Sequence, residues 1–136
     1  MSDQPTGSCR CNAVTFEVKN PLQFAANCHC NICKKTTGGA FSSIAIVDEA
    51  DLVFTAGENL LSEYAISENA SKYFCSKCGS PVYNRHKKFR GKLMLPIGAL
   101  DKPGEIAPVV NVHCENMLPW VPNIMKMTNF DRDAVK

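Results

Sequence analysis

Cys9-Arg10-Cys11 and Cys75-Ser76-Lys77-Cys78-Gly79 stand more than sixty residues apart, so an ion joining them would close about half of the chain into one loop. Two residues between cysteines let the backbone fold round a metal, and the following glycine accepts the positive φ such a turn often needs. Two cysteines one residue apart face the same way if the segment is extended. Four thiolates leave a tetrahedral ion no vacancy, so its task would be to hold the fold. Between the pairs lies Cys28-His29-Cys30-Asn31-Ile32-Cys33. Here Cys28 and Cys30 share a face and His29 points oppositely, while Cys33 rejoins them only if the chain turns after Cys30. This segment supplies three sulfurs, and a three-ligand site keeps a position for water or substrate. Seven of the eight cysteines thus sort as four plus three, although other partitions also satisfy the spacing. Cys114 is left over, and reads as a packed thiol where a small apolar residue would serve equally well.

Metal rather than disulfide follows from the expected compartment. Residues 1–7 carry neither a positive n-region nor an apolar run, so no export signal is expected. The chain is assigned to the cytoplasm, which keeps thiols reduced. No stretch approaches the ~18 apolar residues of a membrane helix, so no membrane partner is expected. With 136 residues, 45% of them hydrophobic, residues 1–136 should form one domain with a sizeable core. A net charge of +2 is too small to imply an acidic partner. Arg85, Lys87, Lys88, Arg90 and Lys92 read as a solvated loop and strand edge, and nucleic acid is not an expected ligand. No stripe or heptad marks an interface, so the oligomeric state is not legible.

Val14, Phe16 and Val18 alternate with Thr15, Glu17 and Lys19, which predicts a half-buried strand over 13–19. Further strands are expected over 23–28, 40–47, 52–55, 60–66, 71–75, 81–85, 93–100 and 109–114. Residues 34–39 predict one short helical turn stopped by glycines. In the tail, Pro119 and Pro122 exclude a long helix, leaving room for a short one between Pro122 and Phe130. The fold class is mainly β, with antiparallel sheets and short helical turns.

Three thiolates on a divalent zinc leave one net negative charge, which disfavours water activation and suits a fourth sulfur. Backbone N–H groups at the Cys33 turn, with Lys34 and Lys35, would offset that charge. The expected ligand is a small thiol held as thiolate, and the second reactant a small aldehyde or other electrophile. His113 is the candidate for proton transfer, since imidazole titrates near neutrality. His29 is read as a hydrogen-bonded structural residue. Trp120, beside Pro119, would either wall the thiol pocket or plug the core.

Gly7-Ser8-Cys9-Arg10-Cys11, the 28–33 segment with Gly38-Gly39-Ala40-Phe41, Phe74-Cys75-Ser76-Lys77-Cys78-Gly79-Ser80-Pro81 and Pro119-Trp120 resemble the glutathione-dependent formaldehyde-activating enzymes. That family includes centromere protein V-like proteins. The resemblance runs from Gly7 to about Trp120, with 121–136 an individual tail. It implies a β-tent fold with two zinc ions, one structural on Cys9, Cys11, Cys75 and Cys78. The other would sit on Cys28, Cys30 and Cys33, near where glutathione binds as co-substrate. The implied activity is carbon–sulfur lyase chemistry, joining formaldehyde and glutathione as S-hydroxymethylglutathione. The competing reading is a non-catalytic zinc module that carries a thiol or docks a protein partner.

Overall fold

A computed structural model describes residues 4–135. Met1 to Asp3 of the start read as leader-free lie outside the described residues, as does Lys136 of the tail. The chain runs β1 Thr6–Ser8, β2 Thr15–Val18, β3 Phe24–Cys28, α1 Asn31–Thr37, β4 Ser42–Asp48 and β5 Leu52–Ala56. It continues β6 Leu61–Ala65, β7 Ala70–Cys75, β8 Pro81–His86, β9 Lys92–Pro96 and β10 Val110–Val112, with short 3-10 segments between some strands and two more after β10. The strands form a three-stranded sheet ordered β1-β2-β5 and a seven-stranded sheet ordered β10-β3-β4-β9-β8-β7-β6. The fold is mainly β. No helix among the described residues is long and apolar enough to cross a membrane.

The core forms between the inward faces of the two sheets. Alternation in β2 turns Phe16 and Val18 inward, both almost fully buried. In the larger sheet, register places Ala25 opposite Ala45 and Ala45 opposite Leu95, a row with no solvent exposure. Phe54 packs edge-on against Phe16, and Tyr73 stacks on Tyr83 with ring centroids 4.4 Å apart. Full burial of a side chain such as Phe16, Val18 or Leu95 contributes about 1.5–3 kcal/mol relative to exposure.

Four expectations need correction. The larger sheet is mixed, because β10 pairs with β3 in parallel. The strand expected over 93–100 stops at Pro96 and passes into a 3-10 turn, Ile97–Ala99. The strand expected over 109–114 shrinks to Val110–Val112, because His113 enters the left-handed region at φ 58° and stops the extended run. The helical turn starts earlier than expected, at Asn31, and ends at Gly38 with φ 75°.

The basic cluster is partly neutralised within the chain. Arg85 forks onto Glu49, its two guanidinium nitrogens 2.6 and 3.2 Å from the carboxylate oxygens, and Lys92 pairs with Asp48.

Candidate metal centres

The loop between β1 and β2 brings Cys9 and Cys11 under the turn that follows β7. Asn12 takes φ 65°, which curls the chain so that the Asn12 N–H reaches the Cys9 carbonyl. On the other side Gly79, at φ 79°, donates its N–H to the Cys75 carbonyl and closes the CxxCG turn. The Ser80 hydroxyl accepts the Arg10 N–H at 3.0 Å and ties the two turns together.

The four sulfurs of Cys9, Cys11, Cys75 and Cys78 all lie within 4.8 Å of one another. Cys9 and Cys11 stand 3.6 Å apart, and Cys11 and Cys75 3.9 Å. Two sulfurs bonded to one tetrahedral zinc at ~2.3 Å each would be about 3.8 Å apart. The fit is close. Backbone N–H groups of Val14 and Lys77 point at the sulfurs of Cys9 and Cys75, hydrogen bonds that would steady those sulfurs as metal ligands.

Protonation is split across this cluster. The Ser80 hydroxyl and N–H, with the Cys11 N–H, hold the Cys78 thiol down to about 5. The Ala13 N–H favours the Cys11 thiolate too, but desolvation and the neighbouring sulfurs outweigh it and push that thiol to about 11. Crowded thiols cannot all ionise without a cation among them, and a divalent ion removes that conflict.

Cys28, Cys30 and Cys33 form the second cluster, again with all sulfurs within 4.8 Å. Cys28 ends β3, Cys30 is the N-cap of α1, and Cys33 lies in its first turn. The Cys33 N–H donates to Cys30 Sγ at 3.2 Å, and Cys33 Sγ is 3.4 Å from Cys28 Sγ. Burial pushes the Cys33 and Cys28 thiols up, the former helped by both neighbouring sulfurs. Burial also opposes the Cys30 thiolate, but the Cys33 N–H and both neighbouring thiols outweigh it and lower that thiol. No fourth His, Cys, Asp or Glu among the described residues joins this group. The structure therefore separates seven cysteines as four and three, resolving the partition that spacing left open.

Of the remaining candidates, His113, Cys114 and Trp120 follow β10, while His29 lies between β3 and α1. His29 is not part of the three-sulfur group; its ring is fully buried, with Nε2 3.0 Å from Asn111 Oδ1. His113 is exposed, with Nδ1 3.5 Å from Glu115 Oε1. Trp120 is 46% exposed and does not plug the core. Cys114 is exposed too, which overturns its reading as a packed thiol. Its apolar neighbours misled, because Val110 and Val112 lie on an edge strand and are themselves exposed. The Lys34 ammonium donates to the Asn116 carbonyl at 2.6 Å. Asn111 and Asn116 had no signal in the sequence, since their partners lie more than eighty residues away. A cleft of about 440 Å³, bordered by Cys9, Arg10 and Ser80, adjoins the four-thiol cluster.

A family model for glutathione-dependent formaldehyde-activating enzyme matches residues 4–116. The chain belongs to this family. The match includes all seven clustered cysteines and His113, and leaves Trp120 outside. A Halomonas elongata protein that bears the family's name is 35% identical over 123 residues, 85% of this chain and 78% of that protein. A Podospora anserina protein of the same name is 32% identical over 88 residues, and the alignment spans 41% of its length and 62% of this chain. Among solved structures, a Rhodobacter sphaeroides protein shares the fold with TM-score 0.65 at 23% identity, over 79% of this chain and 99% of that one.

Proposed function

We propose that the chain is a zinc-dependent carbon–sulfur lyase or synthase that joins formaldehyde and glutathione to give S-hydroxymethylglutathione. The observation that carries this reading is the contrast between a four-sulfur cluster and a three-sulfur one in the same chain. Cys9, Cys11, Cys75 and Cys78 would hold a closed structural zinc, and Cys28, Cys30 and Cys33 an open one. Zinc at the open site supplies a soft Lewis acid at which a fourth sulfur is favoured as thiolate.

The chain's own residues do the rest. The Cys33 N–H at Cys30 Sγ offsets part of the negative charge that three thiolates bring together. In the reaction the glutathione sulfur bonds to the formaldehyde carbon, the carbonyl π pair moves to oxygen, and the thiol proton ends on that oxygen. His113, an exposed imidazole two residues beyond Asn111, is the group proposed to carry that proton. Trp120 is proposed to wall the thiol pocket. The reaction belongs to the reducing cytoplasm, where glutathione and these cysteines stay as thiols.

The test is the rate of S-hydroxymethylglutathione formation above the uncatalysed reaction. Wild type should accelerate it, while Cys30→Ser and Cys33→Ser should abolish the acceleration and keep the fold. Variants as active as wild type would refute the site, and a wild type with no acceleration would favour the thiol-carrying module.

A further inference from the structure

β10 is a three-residue edge strand whose side chains are all exposed, so core packing does not explain why it pairs with β3. Its polar contacts do. Parallel register sets Asn111 beside Asn27 and Val112 beside Cys28. The Val112 carbonyl accepts the His29 N–H at 3.0 Å, and the Asn111 side-chain oxygen accepts the His29 ring at 3.0 Å. That oxygen also accepts the Asn27 side-chain N–H at 3.3 Å, while Asn27 Oδ1 accepts the Ser43 hydroxyl at 2.6 Å. Because Asn111 offers an acceptor, the His29 ring donates through Nε2. Its Nδ1 has no hydrogen-bond partner among the described residues, so Asn111 alone fixes the ring's rotation by a hydrogen bond. The ring also lies tilted against Phe41, with centroids 5.1 Å apart.

His29 lies between Cys28 and Cys30, and the peptide units on either side of it carry those two sulfurs. A turn of that backbone would move both. The third sulfur depends on the same segment, since Asn116 accepts Lys34 of α1 at its carbonyl and Asn31 of α1 at its side chain. We infer that Asn111 is a positioning residue for the three-thiol site, holding His29 and through it the ligating arrangement of Cys28 and Cys30. The inference rests on the reading of that cluster as a zinc site. Groups behind metal ligands set ligand orientation, and losing one weakens metal binding about 10–100-fold.

Asn111 is exposed, so its replacement opens no cavity in the core. The experiment is a competition titration of zinc against a chromophoric chelator on the full chain, for wild type, Asn111→Leu and Asn111→Asp. Wild type should bind two zincs. Asn111→Leu should bind one with unchanged affinity and the other about 10–100-fold more weakly. Asn111→Asp keeps an acceptor at the same place and should restore the second affinity to within a few-fold. The cobalt-substituted chains should show the same order in their thiolate charge-transfer bands. A second zinc unaffected in Asn111→Leu would overturn the inference, as would equal weakening at both sites or no rescue by Asn111→Asp. A wild type that binds one zinc would instead overturn the metal reading, and the inference with it.

Discussion

Gly7 sits directly over the Phe16 ring, so close that a Cβ at Gly7 would stand 2.3 Å from Phe16 Cζ and 2.4 Å from the Ala99 carbonyl oxygen. Register explains the contact, because Gly7 pairs with Phe16 across β1 and β2 and bridges to Leu100 on its other side. Phe16 is fully buried and the Ala99 oxygen is backbone, so neither can withdraw cheaply. Gly7→Ala should therefore cost about 1–3 kcal/mol or more, read as a shift in urea midpoint at constant slope. An unchanged midpoint would mean that β1 is free to move away.

Removing one ligand should have opposite consequences at the two clusters. The Cys11 and Cys75 sulfurs join points 64 residues apart. By loop-closure entropy, a cross-link over that span is worth about 4 kcal/mol. Cys75→Ser should therefore lose much of the fold's stability, as should chelation strong enough to strip both ions. Cys30 and Cys33 close no long loop, and Cys30→Ser should melt within a few degrees of wild type. Thermal denaturation of the two variants side by side checks both statements.

The Glu49–Arg85 pair gives a pH-dependent term of known sign. Its Arg85 partner holds the Glu49 carboxyl below its ordinary value of 4.5. A depressed carboxylate contributes stability that is present above the unfolded value and is lost as pH falls through the folded one. Both side chains are nearly half exposed, so solvent screening limits the contribution to less than about 1 kcal/mol. The difference in melting temperature between wild type and Glu49→Gln should be small and constant above pH 6, and should shrink below 4.5. Taking the difference removes any acid loss of zinc common to both chains.

Trp120 offers a separation of stability from binding. At 46% exposure about half of its surface is covered, so Trp120→Ala should cost no more than about 3 kcal/mol. If Trp120 walls the thiol pocket, the same variant should raise KM for glutathione with a smaller change in kcat. A large loss of stability with unchanged KM would return it to a packing role.

What could be read in the sequence was local or chemical. Val14, Phe16 and Val18 announced β2 by alternation, and the cysteine spacings announced both clusters, because a metal site needs few residues close in sequence. What could not be read was long-range or contrary to local pattern. Thr6–Ser8 is too short, and too dependent on Gly7 meeting Phe16, to signal a strand. A strand is legible over 109–114, yet its edge position leaves Val110 and Val112 exposed, and Cys114 beside them is exposed as well. The Asn111–His29 contact spans 82 residues and depends on a parallel pairing that no local pattern encodes.

The central claim is that one chain carries a closed zinc site and an open one. Zinc per chain by elemental analysis, for wild type and Cys30→Ser purified alike, tests it most directly. Wild type should hold two zincs, and a folded Cys30→Ser one. One zinc in wild type, or two retained by Cys30→Ser, would contradict it.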